Sequence, residues 1–243
     1  MIYIYLPLFI AEAVFAALFI RAGRPSSTKA GFAFKMCACV IYMANALYTS
    51  SGVPRGFYSQ AVLCALAAGF SGDILLTSDP FFKSTKSRGY TTAIITGGIC
   101  FLAGHIIYIY AFIRALSLSG GTNMRLLIPV WAGAFTVFLG AKMLTGVGFG
   151  KLTAPVILYA SAITLLFSCA VSLALGSLSG SPLKQAAVIS APVLFIISDF
   201  SLALKYFDKE RFDTLSVRII NLSTYFLSQM LFGLSIGFVG INA

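Results

Sequence analysis

Five ionisable side chains fall well inside long apolar runs of this sequence, and their types suit them to moving protons. They are two aspartates, a lysine, the single histidine and a glutamate: Asp73, Asp199, Lys35, His105 and Glu12. A charged group at the centre of a bilayer costs about 2.5 to 3.5 kcal/mol on insertion scales. We therefore expect these groups to face each other or a water-filled cavity, where they would serve acid–base catalysis or a proton relay.

Polar residues at helical spacing point to the same cavity. Residues four apart, or three and four apart, lie on one face of an α-helix. Two such stripes occur, one at Asn221, Tyr225 and Gln229 and the other at Phe101, His105 and Tyr108. Together with Tyr159, about two turns inside another apolar run, they predict a pocket that could admit a lipid-like molecule, its head in water and its chain among helices.

Structural explanations compete with this interpretation. Lys35 and Asp73 are near enough to the membrane–water interface to snorkel or to cap a helix. Asp199 is too deep in its span for its side chain to reach that interface easily. Glu12 shares no other feature with the group and is expected to be structural or peripheral. Ordinary hydrogen bonds between helices would equally explain the remaining polar residues, namely His105, Tyr159, Tyr225 and Gln229.

Membrane-spanning helices are the elements that must position these residues. Of the 243 residues, 59% are hydrophobic and only 10% are charged, and the mean hydropathy is +0.94. A soluble fold of this size could not bury so much apolar surface. Spans of roughly 20 residues are predicted at 2–20, 31–49, 57–77, 91–116, 126–144, 153–175, 184–206 and 215–239. The fold class is therefore an all-α, polytopic membrane bundle of about eight helices, a single domain over residues 1–243.

The positive charges predict the orientation of the bundle. Few of them lie by the even-numbered connections: Arg55, Arg114, Arg125 and Lys184. The others are in or beside the odd-numbered connections: Arg21, Arg24, Lys29, Lys35, Lys83, Lys86, Arg88, Lys142, Lys151, Lys205, Lys209, Arg211 and Arg218. Because cytoplasmic loops are enriched in Lys and Arg, both termini are expected on the non-cytoplasmic side and the pocket toward the cytoplasmic leaflet.

The net charge of +10 does not indicate a nucleic-acid partner, since the Lys and Arg residues lie in short connections and form no long basic tract. The five cysteines fall inside apolar runs, as small buried hydrophobes do. No metal or other cofactor is expected, because His105 has no carboxylate or thiolate partner at ligand spacing.

Several short patterns, taken in order, resemble the YhhN-type lysoplasmalogenase family, whose animal members are the transmembrane protein 86 proteins. The matching segments are 72–76 (GDILL), 104–108 (GHIIY), Ser198-Asp199 followed by Leu202-Ala203, and Thr224-Tyr225 with Gln229. Lys35 at the start of the second span, and Pro155 with Tyr159 on the sixth, also occupy places that the family tends to fill. The resemblance covers essentially the whole chain.

This resemblance implies a hydrolase of the vinyl ether bond of lysoplasmalogens, or of related lysolipids, that releases a fatty aldehyde and a glycerophospho-base. Asp199, the deeper carboxyl, would be the general acid because an apolar environment favours its protonated form. Asp73 would activate water because Lys35 favours its ionised form. The two roles could be reversed. The supporting residues would orient water and the headgroup, with Lys35 meeting the lipid phosphate as an alternative: His105, Tyr108, Tyr159, Asn221, Tyr225 and Gln229.

Two other classes of protein remain open at this point. A small proton-coupled transporter would also need intramembrane Asp, Lys and His residues, although no internal repeat is evident. A receptor or assembly factor would bind a ligand and leave it unchanged. The headgroup, the chain length, the oligomeric state and the host membrane, whether a bacterial inner membrane or the endoplasmic reticulum, are left open.

Overall fold

Long α-helices make up the structure, a computed structural model that describes residues 2–22, 28–54, 56–82, 87–120 and 123–239. The helices are α1 (Ile2–Arg21), α2 (Lys29–Ser51), α3 (Phe57–Leu76), α4 (Arg88–Leu118), α5 (Leu127–Thr145), α6 (Thr153–Ser177), α7 (Pro182–Phe207), the single turn α8 (Lys209–Phe212) and α9 (Leu215–Val239). No β-strand occurs among these residues. Each of the eight predicted spans corresponds to one long helix.

Seven helices in the described part of the chain, α2 to α7 and α9, are long and apolar enough to cross a membrane. Large apolar side chains such as Ile128, Leu144 and Leu183 lie on the outside of the bundle, 74%, 91% and 80% exposed. Lipid is the solvent in which such a surface is stable. The prediction of an all-α, polytopic membrane bundle is confirmed. The orientation stays a prediction, and four of the cations on which it rests lie outside the described residues: Arg24, Arg55, Lys83 and Lys86.

Local signals explain where several helices begin and end. Thr28 caps α2, because its Oγ1 accepts a hydrogen bond from the Gly31 amide at 2.9 Å. Ser87 caps α4 by accepting from the Tyr90 amide at 3.2 Å. Pro182 occupies the first turn of α7, where its missing N–H costs nothing. Gly146, with φ of 67°, ends α5 in a left-handed conformation that glycine tolerates best.

Small residues allow the closest helix pair, α3 and α4, to approach. A Cβ at Gly72 would lie 2.7 Å from the Phe101 ring and 3.1 Å from the Gly97 carbonyl oxygen, so only glycine fits there. Further along the pair, a Cβ at Gly104 would lie 3.1 Å from the Ala65 carbonyl oxygen. Small residues at helix interfaces are the usual way in which membrane helices gain contact.

The helices that carry the candidate residues form the inner part of the bundle. α9 packs against α7, α2, α1 and α3, and α4 packs against α3 and α6. Asn45 joins α2 to α9 by donating to the Met230 carbonyl at 3.0 Å. By contrast, α5 packs against α6 at the edge and buries none of its residues. The central helices α2, α3, α7 and α9 can therefore bring side chains together at one end of the bundle.

Candidate active site

Asp73 lies near the end of α3 and is enclosed by four side chains. Its Oδ1 is 2.8 Å from Lys35 Nζ. Its Oδ2 accepts hydrogen bonds from Tyr225 OH, from Cys39 Sγ at 3.3 Å and from Tyr42 OH at 3.4 Å. Asp73 is only 1% exposed. An ionised carboxylate with a cation and hydroxyl donors around it is the arrangement that makes a buried charge tolerable.

Three of these partners come from one face of α2, because Lys35, Cys39 and Tyr42 are four and three residues apart. Cys39 and Tyr42 are partners of Asp73 that the sequence did not predict, since the cysteines fit the pattern of small buried hydrophobes and Tyr42 belongs to neither polar stripe. Their spacing from Lys35 was the available signal. On α9, the predicted stripe is partly in place, since Gln229 Nε2 donates to Tyr225 OH at 2.9 Å.

Asp199 lies about two turns before the end of α7 and has a different environment. Tyr159 on α6 donates its hydroxyl to Asp199 Oδ2 at 2.6 Å. Asn221 on α9 donates to the carbonyl and to the hydroxyl of Ser198, at 2.8 and 3.0 Å, and so holds the preceding residue of α7. No ion pair to Asp199 occurs within the part of the chain that the structure describes. Its carboxyl is therefore oriented by a neutral hydroxyl, whereas Asp73 is paired with a cation.

Both aspartates line one polar cavity of about 70 Å³, which has room for a few water molecules. Lys35, Asn221 and Tyr225 also line it, and Phe19 on α1 and Phe101 on α4 contribute apolar walls. The structure therefore brings to one chamber two carboxyl groups that are 126 positions apart in the sequence numbering. This is a geometry in which two carboxyl groups can act on one bound molecule.

A second, apolar cavity of about 460 Å³ lies beside the polar one, among α4, α6 and α7. Its volume is in the range of small-molecule sites. Ile95, Ile99 and Ile163 are among its lining residues. Gly98 also lines it and contributes no side chain that would fill its space. The two cavities share five lining residues: Leu76, Phe101, Asp199, Leu202 and Tyr206. Asp199 is therefore the carboxyl group among the residues that line both the polar cavity and the apolar cavity.

The two aspartates differ in how much of each side chain faces a cavity. Asp73 is covered by four partners and is 1% exposed, whereas Asp199 is half-buried because it lies on the shared wall of two cavities. Along its helix Asp199 is still the deeper of the two, eight residues before the end of α7, whereas Asp73 is three residues before the end of α3.

Three predicted supporting residues, His105, Tyr108 and Gln229, lie behind the cavities and do not line either of them. The His105 ring packs edge-on against Tyr159 and Phe195, with centroids 5.1 and 4.8 Å away. Tyr108 is stacked on Phe232, further from the aspartates. His105 therefore contacts Tyr159, the partner of Asp199, and Tyr108 belongs to the packing of α4 against α9.

Glu12 on α1 is buried, 4% exposed, and neither of its carboxyl oxygens has a hydrogen-bond partner among the described residues. It does not line either cavity. Among all the residues that the structure describes, no group of three or more His, Cys, Asp and Glu side chains is placed to hold a metal ion. The groups that the described site offers for chemistry are carboxyl, hydroxyl, thiol, amide and amine groups.

The fold and the site together define an integral membrane protein with a two-aspartate cavity beside an apolar one. The chain belongs to the YhhN family, whose family model matches residues 30–236 and hence most of the sequence. The resemblance seen in the short motifs is thereby confirmed. No curated protein and no solved structure matches the chain. Family membership fits a membrane hydrolase of the lysoplasmalogenase type.

Proposed function

We propose that this protein hydrolyses the vinyl ether bond of lysoplasmalogens, releasing a fatty aldehyde and a glycerophospho-base. One observation carries the proposal: Asp73 and Asp199 line the same polar cavity, and Asp199 also lines the adjoining apolar cavity. A single-chain lipid has a polar headgroup, a long hydrocarbon chain and a reactive bond where the two meet. These parts match the polar cavity, the apolar cavity and the boundary between them. The vinyl ether would then lie beside Asp199.

The first step requires a general acid at the boundary between the polar and the apolar cavity. Protonated Asp199 gives its proton to the alkenyl carbon that is not bonded to oxygen, using the electrons of the carbon–carbon double bond. The neighbouring carbon and its ether oxygen then share the positive charge of an oxocarbenium ion. Tyr159, which already donates to Asp199 at 2.6 Å, would stabilise the carboxylate left behind.

The second step requires a water molecule and a negative charge near the oxocarbenium ion. Asp73 is paired with Lys35 at 2.8 Å, and as a carboxylate it would stabilise the cationic intermediate and accept a proton from the attacking water. Water adds to the oxocarbenium carbon and forms a hemiacetal. The bond from that carbon to the glycerol oxygen then breaks. The glycerol oxygen takes the proton that Asp73 accepted from water, the hemiacetal hydroxyl gives its proton to the Asp199 carboxylate, and the aldehyde and the glycerophospho-base leave.

This assignment keeps the roles that the resemblance implies and rests on the partners of each carboxyl. Asp199 acts as the acid because it has a neutral hydroxyl partner and faces the hydrocarbon space. Asp73 acts as the base because a cation and hydroxyl donors surround it. Pairs of carboxyl groups whose environments differ in this way divide acid and base roles in known hydrolases.

Purified protein in lipid nanodiscs tests the proposal directly. It is incubated in D₂O with an alkenyl lysophosphatidylethanolamine, and the aldehyde is measured by mass spectrometry. We expect aldehyde carrying one deuterium on the carbon next to the carbonyl, because the acid delivers that proton from solvent-exchangeable Asp199. The saturated alkyl ether and the acyl lysolipid of the same chain length serve as controls and should release no aldehyde.

Two results would overturn the proposal. The first is the absence of aldehyde from the alkenyl lipid although the protein is folded and binds it. The second is aldehyde without deuterium, which would mean that the double bond is not protonated from solvent-exchangeable groups. If flux of a solute into proteoliposomes occurs without hydrolysis, the protein is a transporter instead.

A further inference from the structure

Two cations beyond Lys35 line the polar cavity near the end of the bundle that carries α8. They are Lys205, two residues before the end of α7, and Arg218, three residues after the start of α9. Asp199 is six residues before Lys205, or about 9 Å along the helix axis at 1.5 Å per residue. The cavity thus has carboxyl groups at its inner end and cations toward its outer end.

Lys35 is not available to a ligand in the way that Lys205 is. Its Nζ is 2.8 Å from Asp73, and the pair is closed in by the rings of Phe19 and Tyr225, whose centroids are 5.8 and 5.9 Å from Nζ. A phosphate at Lys35 would compete with the buried Asp73 carboxylate for the same ammonium group. The alternative in which Lys35 meets the lipid phosphate therefore has no support in this geometry.

Lys205 differs from Lys35 in its partners. Among the described residues, the ion pairs are Lys35 with Asp73, Arg211 with Asp208 and Arg218 with Asp213, so none of them includes Lys205. Arg218 contacts Asp213 at 3.4 Å, at the edge of the cavity. Of the three cations on the wall of the cavity, Lys35 and Arg218 each have a carboxylate partner within the described residues, so Lys205 is the one whose charge an anion in the cavity would neutralise.

We propose that Lys205 forms a subsite for the phosphate of a single-chain phospholipid whose chain lies in the apolar cavity. The inference rests on the proposed function for the identity of the chain-bearing ligand. A glycerol unit between the phosphate and the first chain atom bridges the gap from Lys205 to Asp199, so anchoring the phosphate places the first bond of the chain beside the carboxyl. Charge-assisted contacts of Lys to phosphate are stronger than hydrogen bonds between neutral groups.

The subsite predicts discrimination between lipids with and without a phosphate. The probes are an uncleavable 1-O-alkyl-glycerophosphoethanolamine and the corresponding 1-O-alkylglycerol, bound to the whole protein in nanodiscs and followed by isothermal titration. We expect the wild-type protein to bind the phosphate-bearing ether about tenfold more tightly, as one charge-assisted contact would produce. Lys205→Gln should lose most of this preference while binding the alkylglycerol as before, and Lys205→Arg should retain it.

Lys209→Gln is the matched control, since Lys209 is exposed on the neighbouring turn and does not line the cavity. It should behave like the wild type. A third arm adds inorganic phosphate, which should compete only weakly if the lipid headgroup is the ligand and strongly if free phosphate is. Strong competition by inorganic phosphate, or equal phosphate preference in Lys205→Gln and wild type, overturns the proposal.

The binding measurement does not depend on hydrolysis. If the uncleavable ethers show the Lys205 effect but no aldehyde is released from the alkenyl lipid, the phosphate subsite stands and the hydrolase proposal fails. If aldehyde is released and Lys205→Gln has an unchanged KM for the phosphate-bearing lipid relative to the alkenylglycerol, the hydrolase proposal stands and the subsite fails.

Discussion

Lys35 Nζ on α2 lies 2.8 Å from Asp73 Oδ1 on α3, and both residues are buried. Breaking a buried ion pair by removing one partner leaves an uncompensated charge and typically costs about 3 to 5 kcal/mol. The pair therefore has a structural consequence that is separate from any catalytic role of Asp73, and the two can be measured apart.

We expect Lys35→Met and Asp73→Asn each to lower the midpoint of thermal unfolding, and the double variant to lose less stability than the sum of the two. The reason is that the double variant leaves no charge unpaired. Unfolding in detergent is followed by circular dichroism. Lys29→Met, at the exposed start of α2, is the control. Fully additive losses would mean that the two side chains do not interact in the folded protein.

The two aspartates should be required for hydrolysis independently of stability. Asp73→Asn and Asp199→Asn are each expected to reduce aldehyde release by about 10²-fold or more, the usual contribution of one acid–base group. Glu210→Gln, which removes an exposed carboxylate outside both cavities, should leave the rate unchanged. Release at a near-normal rate by either Asn variant, assayed below its own unfolding midpoint, would remove that residue from the mechanism.

The apolar cavity should set the chain length of the substrate. Gly98 lines it, and a Cβ there would have no neighbouring heavy atom within 4 Å, so Gly98→Leu would fill space without a clash at its Cβ. We expect this variant to lose activity on a long-chain alkenyl lysolipid by about tenfold while a short-chain substrate is affected much less.

Gly133→Leu is the control for Gly98→Leu, because Gly133 is on α5, has equally open space at its Cβ and does not line either cavity. Both substitutions replace a helical glycine by a better helix former, so both proteins should fold. An equal loss on short and long chains in Gly98→Leu would show that the chain does not lie in this cavity.

The close contact of α3 and α4 should not tolerate a methyl group. Gly72→Ala would place a Cβ 2.7 Å from the Phe101 ring, which also lines both cavities, so the ring or the helix must move. Overpacking of this kind costs about 1 to 3 kcal/mol. We expect a lower unfolding midpoint and a reduced rate for Gly72→Ala. Gly140→Ala, where a Cβ has open space, should be neutral, and a neutral Gly72→Ala would contradict the packing described here.

Much of the fold was available from the sequence because each span depends on local properties. Apolar runs of about 20 residues predict helices wherever they occur, and the eight predicted spans match the eight long helices within a few residues. Spacing of four also predicted that Tyr225 and Gln229 share a face of α9, and the two are hydrogen-bonded at 2.9 Å. Contacts within one helix follow from its geometry alone.

Only the tertiary structure decided which helix faces meet. Tyr225 reaches Asp73 across 152 positions of the sequence, and Cys39 and Tyr42 join them from α2. The same packing made Asp73 the enclosed carboxyl, put Asp199 on the wall of an apolar cavity and placed Lys205 on the rim of the polar one. In a membrane, lipid and helix surfaces are almost equally apolar, so hydrophobic pattern does not report which helices pack together. Close packing of small residues and a few buried hydrogen bonds choose the partners, and these depend on the whole bundle.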